Sequence, residues 1–186
     1  MQILQKRNRR KAPVGAAGGQ YLYYLQNQTA KNVLKTMFFT TKKMTAIFSA
    51  VIFFAVLDRL FKVLAVAGLK LNIIGEILKF NLVKNSYIAF SLPLAGAWLN
   101  AAIAAIILLL VYYLIKSWRR GKRAAALSLL AVILGAAGNL FDRLKYGYVV
   151  DYLDLKYFTA FNLADVMIVA GVIYLIYVLI KIKQYA

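Results

Sequence analysis

Four long apolar runs divide the chain, and the segments between them are polar and unlike one another. MTAIFSAVIFFAVLDRLFKVLAVAG, from Met44, is long enough to cross a bilayer even with Asp58, Arg59 and Lys62 inside it. A hydrocarbon core needs only about 20 helical residues to span it. LPLAGAWLNAAIAAIILLLVYYLI, ending at Ile115, carries no charge. AAALSLLAVILGAAGNLF, from Ala124, is rich in small residues, which let helices approach closely in lipid. FNLADVMIVAGVIYLIYVLI runs from Phe161 to Ile180. The pattern predicts an all-α polytopic membrane protein with four transmembrane helices.

Two of the intervening segments, residues 69–92 and 144–160, share one side of the predicted bundle. In the first, KLNIIGEILKFNLVKNSYIAFSLP mixes β-branched and aromatic residues with turn formers. That mixture predicts short strands. Strand edges near a membrane must be covered or closed, so a small extracytoplasmic β-cradle resting on the bundle is expected. The second segment belongs to GNLFDRLKYGYVVDYLDLKYFTAFNLADV, which holds four of the six acidic residues. Gly147 gives it freedom to turn before YVVDYLD folds back over the bundle end.

Composition sharpens this picture. The chain has 186 residues, 63% of them hydrophobic, and a formal charge of +18. So basic a chain raises nucleic acid as a partner, but the positions of Lys and Arg argue against it. Nine lie in residues 1–43, five in KSWRRGKR, and two more are Lys181 and Lys183. The bias of Lys and Arg toward the cytoplasm accounts for that distribution. It places both termini inside and every acidic residue toward the outer face. The expected organisation is a basic cytoplasmic N-terminal segment over 1–43, a four-span domain over 44–180, and a cytoplasmic tail over 181–186. Within the first segment PVGAAGG reads as linker, and Met44 is an alternative start. With no Cys and no His, thiolate nucleophiles, His-based metal sites and Ser-His-Asp triads are excluded. No cofactor and no metal is expected.

Carboxylates remain as candidates for chemistry, and a buried charge in a span is costly enough to need a reason. Asn139, Asp142 and Arg143 share one helical face. Asp142 and Arg143 read as a structural pair. Asn162 and Asp165 open the last span, where Asn162 suits a helix cap. Two aspartates from different elements, meeting across a water, form a proton-sharing dyad in which one is acid and the other base. The base takes a proton from water, which attacks a carbonyl. Spacing points to Asp165 with an outer-loop aspartate. Asp151, Asp142 and Asp58 all remain open as members of the pair. Aromatic residues such as Phe90 and Tyr152 are expected on a lipid-facing or substrate-facing surface.

GAAGNLFDRLKYGYVVDYLD followed by FNLAD resembles the signature of the lipoprotein signal peptidase (signal peptidase II) family. VLDRLFK resembles its first-span motif, and KNSYIAFSLP its outer-loop motif. The blocks occur in the family's order across roughly Met44 to Ile180. The resemblance implies an aspartyl endopeptidase of the bacterial plasma membrane. Such an enzyme removes the signal peptide of diacylglyceryl-modified prolipoproteins just before the lipidated cysteine. It implies Asp151 and Asp165 as catalytic pair, with Asp58, Asn85, Asn139, Asp142, Arg143 and Asn162 in support. Lys62, one turn after Asp58, is expected as its supporting mate. The implied partners are those prolipoproteins and membrane lipids, with the enzyme a monomer. Arg59 and Tyr87 depart from the family's usual uncharged polar residue and Gly. They keep open an inactive relative that binds precursors. A small transporter or scaffold is the reading from another class.

Overall fold

In hydrocarbon every backbone N–H and C=O must be satisfied within its own segment or a closed sheet, and the apolar runs answer as helices. The computed structural model describes residues 41–86 and 96–184, with side chains described as far as residue 180. Within those residues α1 covers 41–66. It is followed by strands β1 (Leu71–Ile74) and β2 (Leu78–Asn85), then α2 (Ala97–Arg119), α3 (Arg123–Tyr146), β3 (Val149–Leu155) and α4 (Leu163–Gln184). By length and composition α2, α3 and α4 as far as Ile180 can each cross a membrane. The expected residues 1–40, and Tyr87 and Phe90, lie outside the described residues.

From Met44 onward the chain packs as one compact unit. Its centre is α3, which packs on both α2 and α4. Small side chains make that possible: Ala125, Ala126, Ser128, Ala131 and Gly135 are all buried. Two glycines set the α3–α4 distance. A Cβ on Gly135 would lie 2.5 Å from the Ala164 carbonyl oxygen, and one on Gly171 2.9 Å from that of Ser128. By contrast α2 buries no side chain, and its exposed Leu108, Leu109 and Trp98 suit contact with lipid.

At the end of the bundle where α1 and α3 finish and α4 begins, the strands form one antiparallel sheet of order β1-β2-β3. The first two strands match the expected cradle. The third is new: the sequence reading left VVDYLDL as a fold-back segment. Its first four residues are buried on both faces, so the alternation that marks a half-buried strand is missing. Gly147, at φ 81°, ends α3 and turns the chain into β3, a backbone conformation that costs glycine nothing. The sheet is fastened to α1 by Phe61, Phe80 and Tyr152, whose rings lie 5.4–5.9 Å apart. Ala65 and Val150 complete this small core. The chain after β3 doubles back, with Phe161 N–H donating to Leu153 C=O at 3.0 Å and Leu153 N–H to Phe161 C=O at 2.9 Å. That bridge delivers Asn162 alongside β3.

Gly171→Ala and Gly135→Ala force α3 and α4 apart. Each is expected to destabilise the protein by about 1–3 kcal/mol, the usual cost of overpacking, read as a lower unfolding midpoint in detergent. Unchanged midpoints would mean that the helices are not held at this distance.

Candidate active site

A helix leaves its first N–H groups without partners inside the helix, and within an apolar bundle that deficit must be met by side chains. At the start of α4 each one is met. Leu163 N–H donates to the Tyr152 hydroxyl at 3.0 Å, and Ala164 N–H to Asp58 Oδ1 at 3.1 Å. Asp165 N–H donates to Asn162 Oδ1 at 3.0 Å, while Asn162 N–H donates back to Asp165 Oδ2 at 3.2 Å. This reciprocal pair is a capping box with Asp in the third position. It holds the Asp165 carboxylate against the helix entrance, and Asn139 Nδ2 donates to its other oxygen at 2.7 Å.

Asp151 arrives from the sheet. In the β2–β3 ladder it stands opposite Val83, which makes Asn85 a diagonal neighbour within reach. Asn85 Nδ2 donates to Asp151 Oδ2 at 2.9 Å, and Asn162 Nδ2 donates to Oδ1 at 2.6 Å. One asparagine therefore touches both carboxylates, Asp151 with its amide and Asp165 with its backbone.

Beneath this pair lies a layer of four charges. Lys62 Nζ reaches Asp142 Oδ2 at 2.7 Å, Asn139 Oδ1 at 2.7 Å and Asp58 Oδ2 at 3.1 Å. Those three acceptors use all the donors an ammonium has. They also fix the Asn139 amide so that its NH2 faces Asp165. Arg59 bridges the same two acids, Nη1 to Asp142 Oδ1 at 2.8 Å and Nη2 to Asp58 Oδ2 at 2.9 Å. Asp58 and Asp142 are 2% and 0% exposed. Such burial is sustainable because each carboxylate is paired and its remaining lone pairs are hydrogen-bonded.

Above the pair opens a cavity of about 590 Å³. Its polar end is made by Asn85, Asn139, Arg143 and Asp165, and its walls are apolar, with Phe158 and Ile173 among them. Asp165 borders the cavity directly, whereas Asp151 is 1% exposed and meets the wall through Asn85. Burial pushes the Asp151 carboxyl up to about 6; the Asn85 hydrogen bond opposes the rise and the charge of Asp165 adds to it. Two carboxylates that meet on one asparagine at the polar end of a greasy cleft can share a proton and hold a water.

The structure gathers Asp58, Lys62, Asn85, Asn139, Asp142, Asp151, Asn162 and Asp165 into one hydrogen-bonded network, and sets Arg143 on the cavity beside them. Two expectations are corrected. Asp142 takes its ion pairs from Arg59 and Lys62 of α1, not from Arg143 beside it in sequence, because the neighbours on α1 face its carboxylate across the helix contact. Tyr152 lines no surface: it is 0% exposed, and its hydroxyl donates to Asp58 Oδ1 at 3.1 Å. Strand alternation carries the missed signal. The residue after Asp151 on β3 must point to the opposite face, toward α1.

Comparison with known proteins gives a consistent result. Residues 49–181 match the family described as Signal peptidase (SPase) II. A lipoprotein signal peptidase of Halothermothrix orenii is 35% identical over 136 residues, 70% of this chain and 92% of that protein. One of Clostridium novyi is 32% identical over 141 residues, covering 70% and 95%. A bacterial membrane enzyme solved at 2.3 Å superposes with a TM-score of 0.62 at 23% identity, over 77% of this chain and 90% of that one. That likeness speaks for the fold alone.

Tyr152→Phe leaves the Leu163 N–H without its acceptor and should cost about 1–3 kcal/mol of stability, measured by unfolding in detergent. A loss below 0.5 kcal/mol would mean that water replaces the hydroxyl, on the order of an exposed bond. The Asp151 carboxyl is expected to titrate near pH 6 when followed by carbon NMR, against an ordinary value of 3.8. The folded protein thus keeps a proton that the unfolded chain releases, so this group's contribution to stability is full in acid and is lost as pH rises through 6. Asn85→Ala removes an N–H from the anion, which favours the neutral form, so the midpoint should move higher still. A downward move would contradict the bond.

Proposed function

Because this chain belongs to the signal peptidase II family, we propose that Asp151 and Asp165 are the two carboxylates with which it cuts. The chain is a multi-pass membrane aspartic protease that processes lipoprotein signal peptides. The observation carrying the assignment is that carboxylates from two separate elements meet on one asparagine at the polar end of an apolar cavity.

The signal peptide of a diacylglyceryl-modified prolipoprotein enters sideways from the bilayer, its apolar helix along the cavity wall. Cleavage falls just before the lipidated cysteine. Asp151 and Asp165 share one proton and hold the attacking water between them. The deprotonated member takes a proton from that water as it adds to the peptide carbonyl. The protonated member donates to the developing oxyanion, and as the C–N bond breaks the carboxyl that took the water proton passes it to the leaving nitrogen while the other carboxylate takes a proton back from the diol. Asn139 and Asn85, each donating to one carboxylate and lining the cavity, orient the pair and leave room for the substrate backbone. Arg143 offers a fixed positive charge to a lipid or backbone oxygen at the same end. The sheet end faces the outside of the plasma membrane and both termini the cytoplasm, a reading that the Lys and Arg bias supports. One chain supplies every group named, which supports a monomeric enzyme.

Purified protein should cleave a diacylglyceryl-modified prolipoprotein peptide. Asp151→Asn and Asp165→Asn should each lower kcat by on the order of 10³-fold or more with folding unchanged. Normal cleavage by either variant removes that residue from the pair.

A further inference from the structure

Each proposed catalytic aspartate is preceded in the chain by a residue whose backbone N–H is held by a buried acid. Ala164, just before Asp165, donates to Asp58 Oδ1 at 3.1 Å, and Val150, just before Asp151, donates to Asp142 Oδ2 at 3.3 Å. Asp58 therefore sets where α4 begins, and Asp142 sets where β3 lies. The spacing of the two catalytic carboxylates follows from the spacing of these two holders. Asp58 belongs to α1 and Asp142 to α3, with no covalent path shorter than the intervening chain.

Two cations join the holders. Lys62 contacts both, but its third donor is committed to Asn139. Arg59 has no such duty. Its planar fork spans the gap, one terminal nitrogen on each acid at 2.8 Å and 2.9 Å, with Nη2 also 3.5 Å from Asp142 Oδ2. The guanidinium is steadied over the Phe141 ring, 5.7 Å from its centroid. The Lys62 ammonium also touches both acids, but from one nitrogen, whereas the Arg59 fork holds them at two points a fixed width apart. Arg59 does not border the cavity.

We propose that Arg59 is a positioning residue that sets the distance between the two catalytic carboxylates, by tying Asp58, which holds the chain ahead of Asp165, to Asp142, which holds the chain ahead of Asp151. The proposal rests on the assignment of Asp151 and Asp165 as the catalytic pair. Close carboxylates split their titrations, so the pH range over which exactly one proton is shared is wide. Letting them drift apart narrows that range without touching the substrate.

The test compares Arg59→Gln and Arg59→Lys with the parent, using a diacylglyceryl-modified prolipoprotein peptide across pH. Arg59→Gln should lower kcat by about 10- to 100-fold, as small displacements of reacting groups do. KM should stay within about twofold, since the residue lies off the cavity wall. The bell-shaped pH profile should narrow. Arg59→Lys keeps the charge but not the fork, and should fall between the two. Carbon NMR of the Asp151 carboxyl gives a readout that needs no cleavage: its midpoint should drop in Arg59→Gln, because Asp165 recedes and water enters. Parent-like kcat and bell width in Arg59→Gln, or a loss confined to KM, would overturn the proposal. If Arg59→Gln does not fold, the same two outcomes in Arg59→Lys decide it. Cleavage surviving in Asp151→Asn or Asp165→Asn would instead defeat the pair assignment. An unmoved Asp151 midpoint in a folded Arg59→Gln protein would refute the positioning role by itself.

Discussion

An ammonium buried among apolar helices is tolerable only if all three of its N–H groups find acceptors, and Lys62 meets that demand with none to spare. Its partners come from α1 and α3: Asp58 on its own helix, Asp142 and Asn139 on the other. Each partner is oriented by the contact and passes the constraint on. Asn139 has its carbonyl oxygen occupied, so its amide must face Asp165. Asp58 spends its second oxygen on the α4 entrance, and Asp142 shares an oxygen with the first turn into β3. The positions of both candidate carboxylates thus depend on satisfying this buried charge, with Arg59 bridging the same two acids beside it. This is the stringency expected of a polar network in a low dielectric, where a half-satisfied member costs more than an apolar replacement.

The helix entrance shows how economical the arrangement is. Capping α4 and presenting Asp165 are one structural act, since the carboxylate that closes the capping box is the one facing the cavity. Asn162 performs a second double duty, serving as cap for α4 and as donor to Asp151. The sheet contributes by rigid docking. The cluster of Phe61, Phe80 and Tyr152 fastens β3 to α1, so that Asp151 is carried on a packed element and not on a free loop.

The helices were legible because their apolar runs are long and the membrane leaves backbone no alternative. The candidate residues were legible because an acid or amide inside such a run is conspicuous, as with Asp58, Asn139 and Asp165. The resemblance to a family singled out Asp151, which spacing alone had left level with Asp142 and Asp58. β3 was hidden because burial on both faces erased its alternation. With the strand went the role of Tyr152, whose hydroxyl direction depends on knowing which face it takes. The partners of Asp142 were hidden for a different reason. Adjacent residues on a helix diverge by about 100°, so Arg143 points elsewhere, while the true partners lie 83 positions away at Arg59 and on the same helix as Arg59 at Lys62. No local pattern encodes that distance.

The irregularity in β2 between Phe80 and Val83 carries a consequence for how the chain tolerates change in length. Across it β2 advances three residues, from Phe80 to Val83, while β3 advances two, from Leu153 to Asp151. A bulge absorbs that surplus residue, so Val83 and Asn85 keep to the side of the sheet that Asp151 faces, as strand alternation demands. Shortening β2 by one there would leave a regular ladder with Asn85 still beside Asp151, whereas losing one residue between Val83 and Asn85 would swing the amide to the opposite face. Indels upstream, near the free edge of β1, meet no such penalty. Evolutionary drift in this sheet is therefore expected to be one-sided, permissive at the outer hairpin and at the bulge, and closed to single-residue steps between Val83 and Asn85.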